Sequence, residues 1–119
     1  MDGNDKIITV RNNFTNTATF TSGTQGIGEI YFEKVGGTQT LTSGGAVFQK
    51  FAHTGTGTLN MSGTVEVKGD VVIDAPISAG TSTMKLSGTG NQTMSGTQSV
   101  IALNSLNNKL YRTIYQYSI

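Results

Sequence analysis

The chain has 119 residues, of which 35% are hydrophobic and only 13% charged, with a net charge of +1, 16 glycines and no cysteine. That length holds one domain and one core, and without cysteine there is neither a disulfide framework nor a thiolate metal site. The eight Lys and Arg are spread singly from Lys6 to Arg112 and make no basic stripe, so nucleic acid is not an expected partner.

Low net charge with abundant Thr and regular Gly points away from disorder and toward an all-β protein with a neutral polar exterior. The start, Met1 to Lys6, is polar and acidic, the wrong opening for a signal peptide. No apolar run approaches the roughly 20 residues that cross a bilayer, so no membrane insertion is expected. Two readings follow: the chain is a segment of something longer, or it works without crossing a membrane by itself.

In chain order, Ile8, Val10, Phe14, Ala18 and Phe20 occupy even positions, and Thr9, Arg11, Asn13, Thr15, Thr17, Thr19 and Thr21 odd ones. Period two predicts a half-buried strand, or two strands with a bend at an Asn. Ser22-Gly23-Thr24 closes a first coil. Ile30 to Val35 then leads through Gly36-Gly37 into Thr38 to Thr42, and Ser43-Gly44-Gly45 makes the next corner. Ala46 to Phe51 is the most apolar strand of this half. Thr54, Thr56 and Thr58 follow before Ser62-Gly63-Thr64. Val65 and Val67 oppose Glu66 and Lys68 in the next strand, and Gly69-Asp70 turns into Val71 to Ile73. The single proline, Pro76, is placed at a corner, since a strand interior would lose a ladder hydrogen bond there.

Small-residue corners begin at Ser22, Ser43, Ser62, Ala79 and Ser95, about 16 to 21 residues apart, and Thr38-Gln39-Thr40-Leu41 matches Asn91-Gln92-Thr93-Met94. Strand-only units of so short a period predict a β-solenoid, similar to a parallel β-helix, whose coils stack on one another. Five markers imply about six short coils. The expected domain is 1–119, with repeats over 18–106. Residues 107–119, carrying Tyr111, Tyr115 and Tyr117, form a C-terminal strand that caps the open end or docks a partner or second copy.

The runs GTQTLTSGGAVFQKF, TGTGTLNMSGTVEVKGDVVI and AGTSTMKLSGTGNQTMSGTQSVIALNSL resemble the β-helical repeats of large bacterial surface proteins, common in Bacteroidetes-type adhesins, and related repeats of phage fibres. The resemblance covers about Ala18 to Leu106. Its signature is Gly-Thr-Gly-x-Gln-Thr followed by a Ser-Gly corner, here Gly88 to Thr93 and Ser95-Gly96. What it implies is a stalk or display surface outside the cell, or on a virion.

Candidate chemistry is sparse. His53 is the only histidine and stands beside a Thr-Gly corner, so it is expected as an exposed turn residue rather than a ligand or base. Glycoside hydrolysis needs two carboxyl groups facing one groove. Glu66, Asp70 and Asp74 are the only close set, and the two aspartates read as corner residues bonding their own backbone. A Ca²⁺-binding nonapeptide is missing, and Gly26-Ile27-Gly28 is too short for a phosphate loop. The sequons at Asn13, Asn60 and Asn91 are as many as chance supplies in so Asn- and Thr-rich a chain.

The expectation is therefore a non-enzymatic structural or adhesive module with no cofactor and no metal, contacting carbohydrate or protein. Alternatively, it is an oligomeric fibre or virion subunit that self-associates through its C-terminal strand. An ice-binding solenoid is the other alternative. It would use Thr15, Thr17, Thr19 and Thr21 on one strand face and Thr54, Thr56 and Thr58 on another, residues that also form the expected contact surface.

Overall fold

The computed structural model describes residues 6–23 and 28–98, together with the backbone of 110–112 and 117–118. Fourteen strands and no helix occur among them, in chain order β1 (Ile7–Val10), β2 (Phe14–Thr15), β3 (Glu29–Phe32), β4 (Thr38–Thr42), β5 (Val47–Phe48), β6 (Lys50–His53) and β7 (Thr58–Ser62), then β8 (Thr64–Val67), β9 (Val71–Ile73), β10 (Ile77–Ser78), β11 (Thr83–Leu86), β12 (Gln92–Ser95), β13 (Leu110–Arg112) and β14 (Tyr117–Ser118).

All pairing is parallel, and it builds three sheets. The first runs β1-β3-β6-β9-β12-β14, the second β10-β7-β4-β2, and the third β13-β11-β8-β5. The chain visits the first, second and third sheet in rotation, so each circuit is one turn of a three-sided β-solenoid. Thr21 bridges to Val47 and supplies the third side of the first turn.

Alternation sends every second side chain to the axis. In the first sheet, Ile8, Ile30, Phe51, Val71 and Met94 stand in one column, so successive turns take 22, 21, 20 and 23 residues. Met94 thus lies four turns above Ile8, where the corner markers imply about six coils. The difference has a physical cause. A three-sided turn has three corners, and small residues suit all of them. Ser43-Gly44, Ser62-Gly63 and Ala79-Gly80 mark one corner, where each glycine abuts the turn before it at Asn16, Ser43 and Met61 respectively. Ser22 stacks under Gln49, and Gly88 lies against Lys68, at a second corner, whereas Gly96 lies against Ile73 and Asp74 at a third.

The core is thin and continuous. All five phenylalanines belong to the first three turns: Phe14, Phe20, Phe32, Phe48 and Phe51 form one cluster, with ring centroids 5.2–6.0 Å apart, mostly edge to face. Val65, Val67, Ile73, Met84, Leu86 and Met94 continue it. Each large apolar side chain buried here contributes about 1.5–3 kcal/mol.

Buried polar side chains hold the corners. Gln39 Nε2 donates to the Val10 and Asn12 carbonyls at 2.8 and 2.6 Å, and Gln92 Nε2 to those of Val67 and Gly69 at 2.9 and 2.7 Å. Ser43 Oγ donates to Thr64 O at 2.6 Å.

His53 belongs with them. It is fully buried, not an exposed turn residue, because it ends β6 at an inward position between Phe32 below and Ile73 above. Its Nδ1 lies 2.8 Å from Phe32 O, and its Nε2 3.0 Å from both Gly57 O and Pro76 O. Pro76 stands at a corner, as its missing N–H requires.

Strand β13 pairs with β11, and β14 with β12, which adds one strand each to the third and first sheets. The end of the expected repeat region, residues 99–106, lies outside the described residues.

Candidate functional site

Two outer faces carry the arrangements with recognition potential. On the first sheet, outward positions alternate with the core columns. Glu29 and Tyr31 point out from β3, Lys50 and Ala52 from β6, and Val72 from β9. Tyr31, Ala52 and Val72 are in register on successive turns, as are Glu29 and Lys50, and Asp70 continues the second row just before β9. Ala52 is too short to fill its place. Only 7% of it is exposed, and it floors a groove of about 310 Å³ lined also by Glu29, Tyr31, Lys50, Thr54, Asp70 and Val72.

The groove's charged row is ordered by its own contacts. Tyr31 Oη donates to Glu29 Oε2 at 2.7 Å, and Lys50 Nζ approaches Glu29 Oε1 at 3.4 Å. The tyrosine hydrogen bond, followed by the lysine's hydrogen bond and charge, holds the Glu29 carboxyl below its ordinary value against the opposing pull of burial. The same bond, with burial and the carboxylate's charge, raises the Tyr31 phenol. Asp70 Oδ1 accepts the Thr93 N–H at 2.9 Å from the next turn.

On the second sheet, the outward residues form a grid of short polar side chains. Thr15, Thr42 and Ser62 make one row across three turns. Thr40, Asn60 and Ser78 make another, and Thr38 with Thr58 a third. None is charged, and Ser62 Oγ reaches Thr42 Oγ1 at 3.5 Å.

The expected threonine faces are redistributed. Thr15, Thr17, Thr19 and Thr21 do not share one strand, because the chain turns at Asn16, whose Nδ2 donates to Ala18 O at 2.5 Å and Ser43 O at 3.0 Å. Thr15 joins the grid, and Thr17 and Thr19 lie exposed on the corner. Thr21 bonds Gly23 and receives Gln49 Nε2 at 3.1 Å. Of the second set, Thr54 borders the groove, Thr56 Oγ1 accepts the Gly36 N–H at 3.0 Å on a corner, and Thr58 begins β7 in the grid.

The three carboxylates do not converge. Glu66 pairs with Lys85 at 3.4 Å on the third sheet, and Asp70 lies in the groove. Asp74 Oδ1 accepts the Thr97 N–H at 3.0 Å at the next corner. Both aspartates tie down the turn above them and not their own backbone, as parallel stacking puts an N–H there. Tyr111 is in register with Lys85 and Tyr117 with Gln92, whereas Tyr115 lies outside the described residues. Among the described residues, no group of three His, Asp or Glu is placed to hold a metal ion, and no helix is long and apolar enough to cross a membrane.

The grid residues Thr38, Thr40, Thr42, Asn60, Ser62 and Ser78, and the Glu29–Tyr31–Lys50 cluster, are not singled out by the sequence reading. Period two over Thr38 to Thr42 is the signal for the grid. The groove's signal is the 21-residue step that stacks Glu29 under Lys50.

The fold and its faces define a three-sided parallel β-solenoid with one hydroxyl-bearing face and one grooved, charged face. No family model, no curated protein and no solved structure matches the chain.

Proposed function

We propose that the chain is a non-enzymatic structural and adhesive module of a bacterial or phage surface protein. It is a stiff solenoid that holds its outer faces against carbohydrate or protein. It works outside the cell, as part of a longer surface protein, or on a virion. The observation that supports this reading best is the uncharged grid of Thr, Ser and Asn on the second sheet, fixed in spacing by the ladder beneath it. The resemblance of the repeats to those of bacterial adhesins and phage fibres agrees with it.

The test is retention of chain-coated beads on surfaces carrying polysaccharide or glycoprotein, with reducing ends assayed in parallel. Retention without new reducing ends is expected. Failure to adhere to any coat, or release of reducing ends, overturns the reading.

The same grid favours a second reading, an ice-binding face, since flat rows of hydroxyls and methyls at about 4.8 Å spacing order water. Thermal hysteresis that vanishes in Thr40→Lys is its expected mark, and none in the native chain removes it. In the fibre alternative, subunits associate through β13 and β14, and a chain ending at Asn108 would then lose its oligomeric mass in light scattering.

A further inference from the structure

We propose that the groove on the outer face of the first sheet is a binding site for a neutral pyranose unit of a glycan. The proposal rests on the display reading above and names the ligand class of one face. The groove, at about 310 Å³, is at the lower end of small-ligand sites, the size of a sugar and not of a folded partner. Its floor is an apolar strip, Tyr31–Ala52–Val72, in register on three successive turns and roughly 10 Å long. One rim carries Glu29, Lys50 and Asp70, and Thr54 stands in the lining beyond Ala52.

A pyranose has the matching polarity. Its axial C–H bonds make an apolar face, and its hydroxyls both donate and accept around the edge. Carboxylates take the donors, and the lysine and threonine serve the acceptors. Tyr31 offers a ring face with a polar tip, and its hydroxyl already fixes Glu29 before a ligand arrives, which lowers the ordering cost of binding.

The alternatives fit less well. Two carboxylates against one ammonium disfavour an anionic sugar or a phosphate. An extended peptide binds by adding to a free sheet edge, but β3, β6 and β9 are interior strands whose neighbours on both sides are paired.

The experiment is saturation-transfer NMR and calorimetry on the full chain, with cellobiose, lactose and maltose as neutral probes and digalacturonate as the anionic one. At least one neutral disaccharide is expected to bind and digalacturonate is not. Tyr31→Ala should weaken binding about tenfold or more. Asp70→Asn, a milder change at an exposed residue, should weaken it several-fold, with circular dichroism reporting that both variants stay folded. The proposal is overturned if no neutral probe binds, if digalacturonate binds equally well, or if folded variants bind unchanged. Beads that adhere while these probes fail would remove the groove and leave the display reading intact. Reducing ends released from a chain whose groove binds sugar would do the reverse.

Discussion

Gln39 and Gln92 stand at different corners of the solenoid, yet each Nε2 donates to two carbonyl oxygens of the preceding turn, Val10 and Asn12 for the first, Val67 and Gly69 for the second. Each Oε1 also accepts a backbone N–H from just upstream, Lys34 or Gly88. This gives the repeated x-Gln-Thr motif a mechanical meaning: it staples one turn to the last. Gln39→Leu should cost about 2–4 kcal/mol, because buried carbonyls lose their donors. Urea melts should show the loss as a lower midpoint at unchanged slope.

Gly44 and Gly45 adjoin but differ. Both have positive φ, +50° and +88°, but a side chain at Gly44 would collide with the Asn16 carbonyl, while Gly45 faces open space. Gly45→Ala is expected to cost about 1–2 kcal/mol for the left-handed backbone alone. Gly44→Ala should exceed it by at least about 1 kcal/mol, since the corner must also move. Parallel thermal melts of the two variants check the order.

His53 replaces an apolar residue in a core column and meets carbonyls on both sides of its ring. A ring nitrogen serves its carbonyl only where it carries a hydrogen, so the donor roles follow the tautomer. His53→Leu should keep the packing but strand those oxygens, at about 2–4 kcal/mol. His53→Gln, which restores an N–H donor, should recover part of that loss in the same denaturation experiment.

Glu29 and Tyr31 make stability depend on pH at both ends. The Glu29 carboxyl is held below its ordinary 4.5, so its contribution is complete above that value and is lost as pH falls through the lower folded one. The Tyr31 phenol is raised above 10.0, so the fold keeps its proton longer than the unfolded chain, and stability declines as pH climbs past 10.0. Tyr31→Phe should flatten both limbs, measured as melting temperature from pH 3 to 11. An unchanged profile would contradict the coupling.

The strands were legible because alternation and glycine corners are local signals. Val65 and Val67 do face the axis, and Glu66 faces out to meet Lys85. Turn length was less legible, since Ser-Gly pairs serve three different corners and only cross-turn pairing tells Ser43-Gly44 from Ser95-Gly96. His53 misled for a related reason: its neighbours spell a turn, but its own parity is that of Phe51, inside the strand. The groove needs residues 20 and 21 positions apart to be recognised as neighbours, so Tyr31, Ala52 and Val72 become one strip only when the turns are stacked.

The phenylalanine cluster has a consequence for the order of assembly. Among the described core residues, aromatic rings crowd the first three turns and aliphatic and sulfur side chains follow, so the heaviest packing leaves the ribosome before the turns that stack on it. Those turns can set as a seed. Each later stretch of about 20 residues then needs only to lay its strands onto a finished edge, and growth of the rod proceeds in the direction of synthesis.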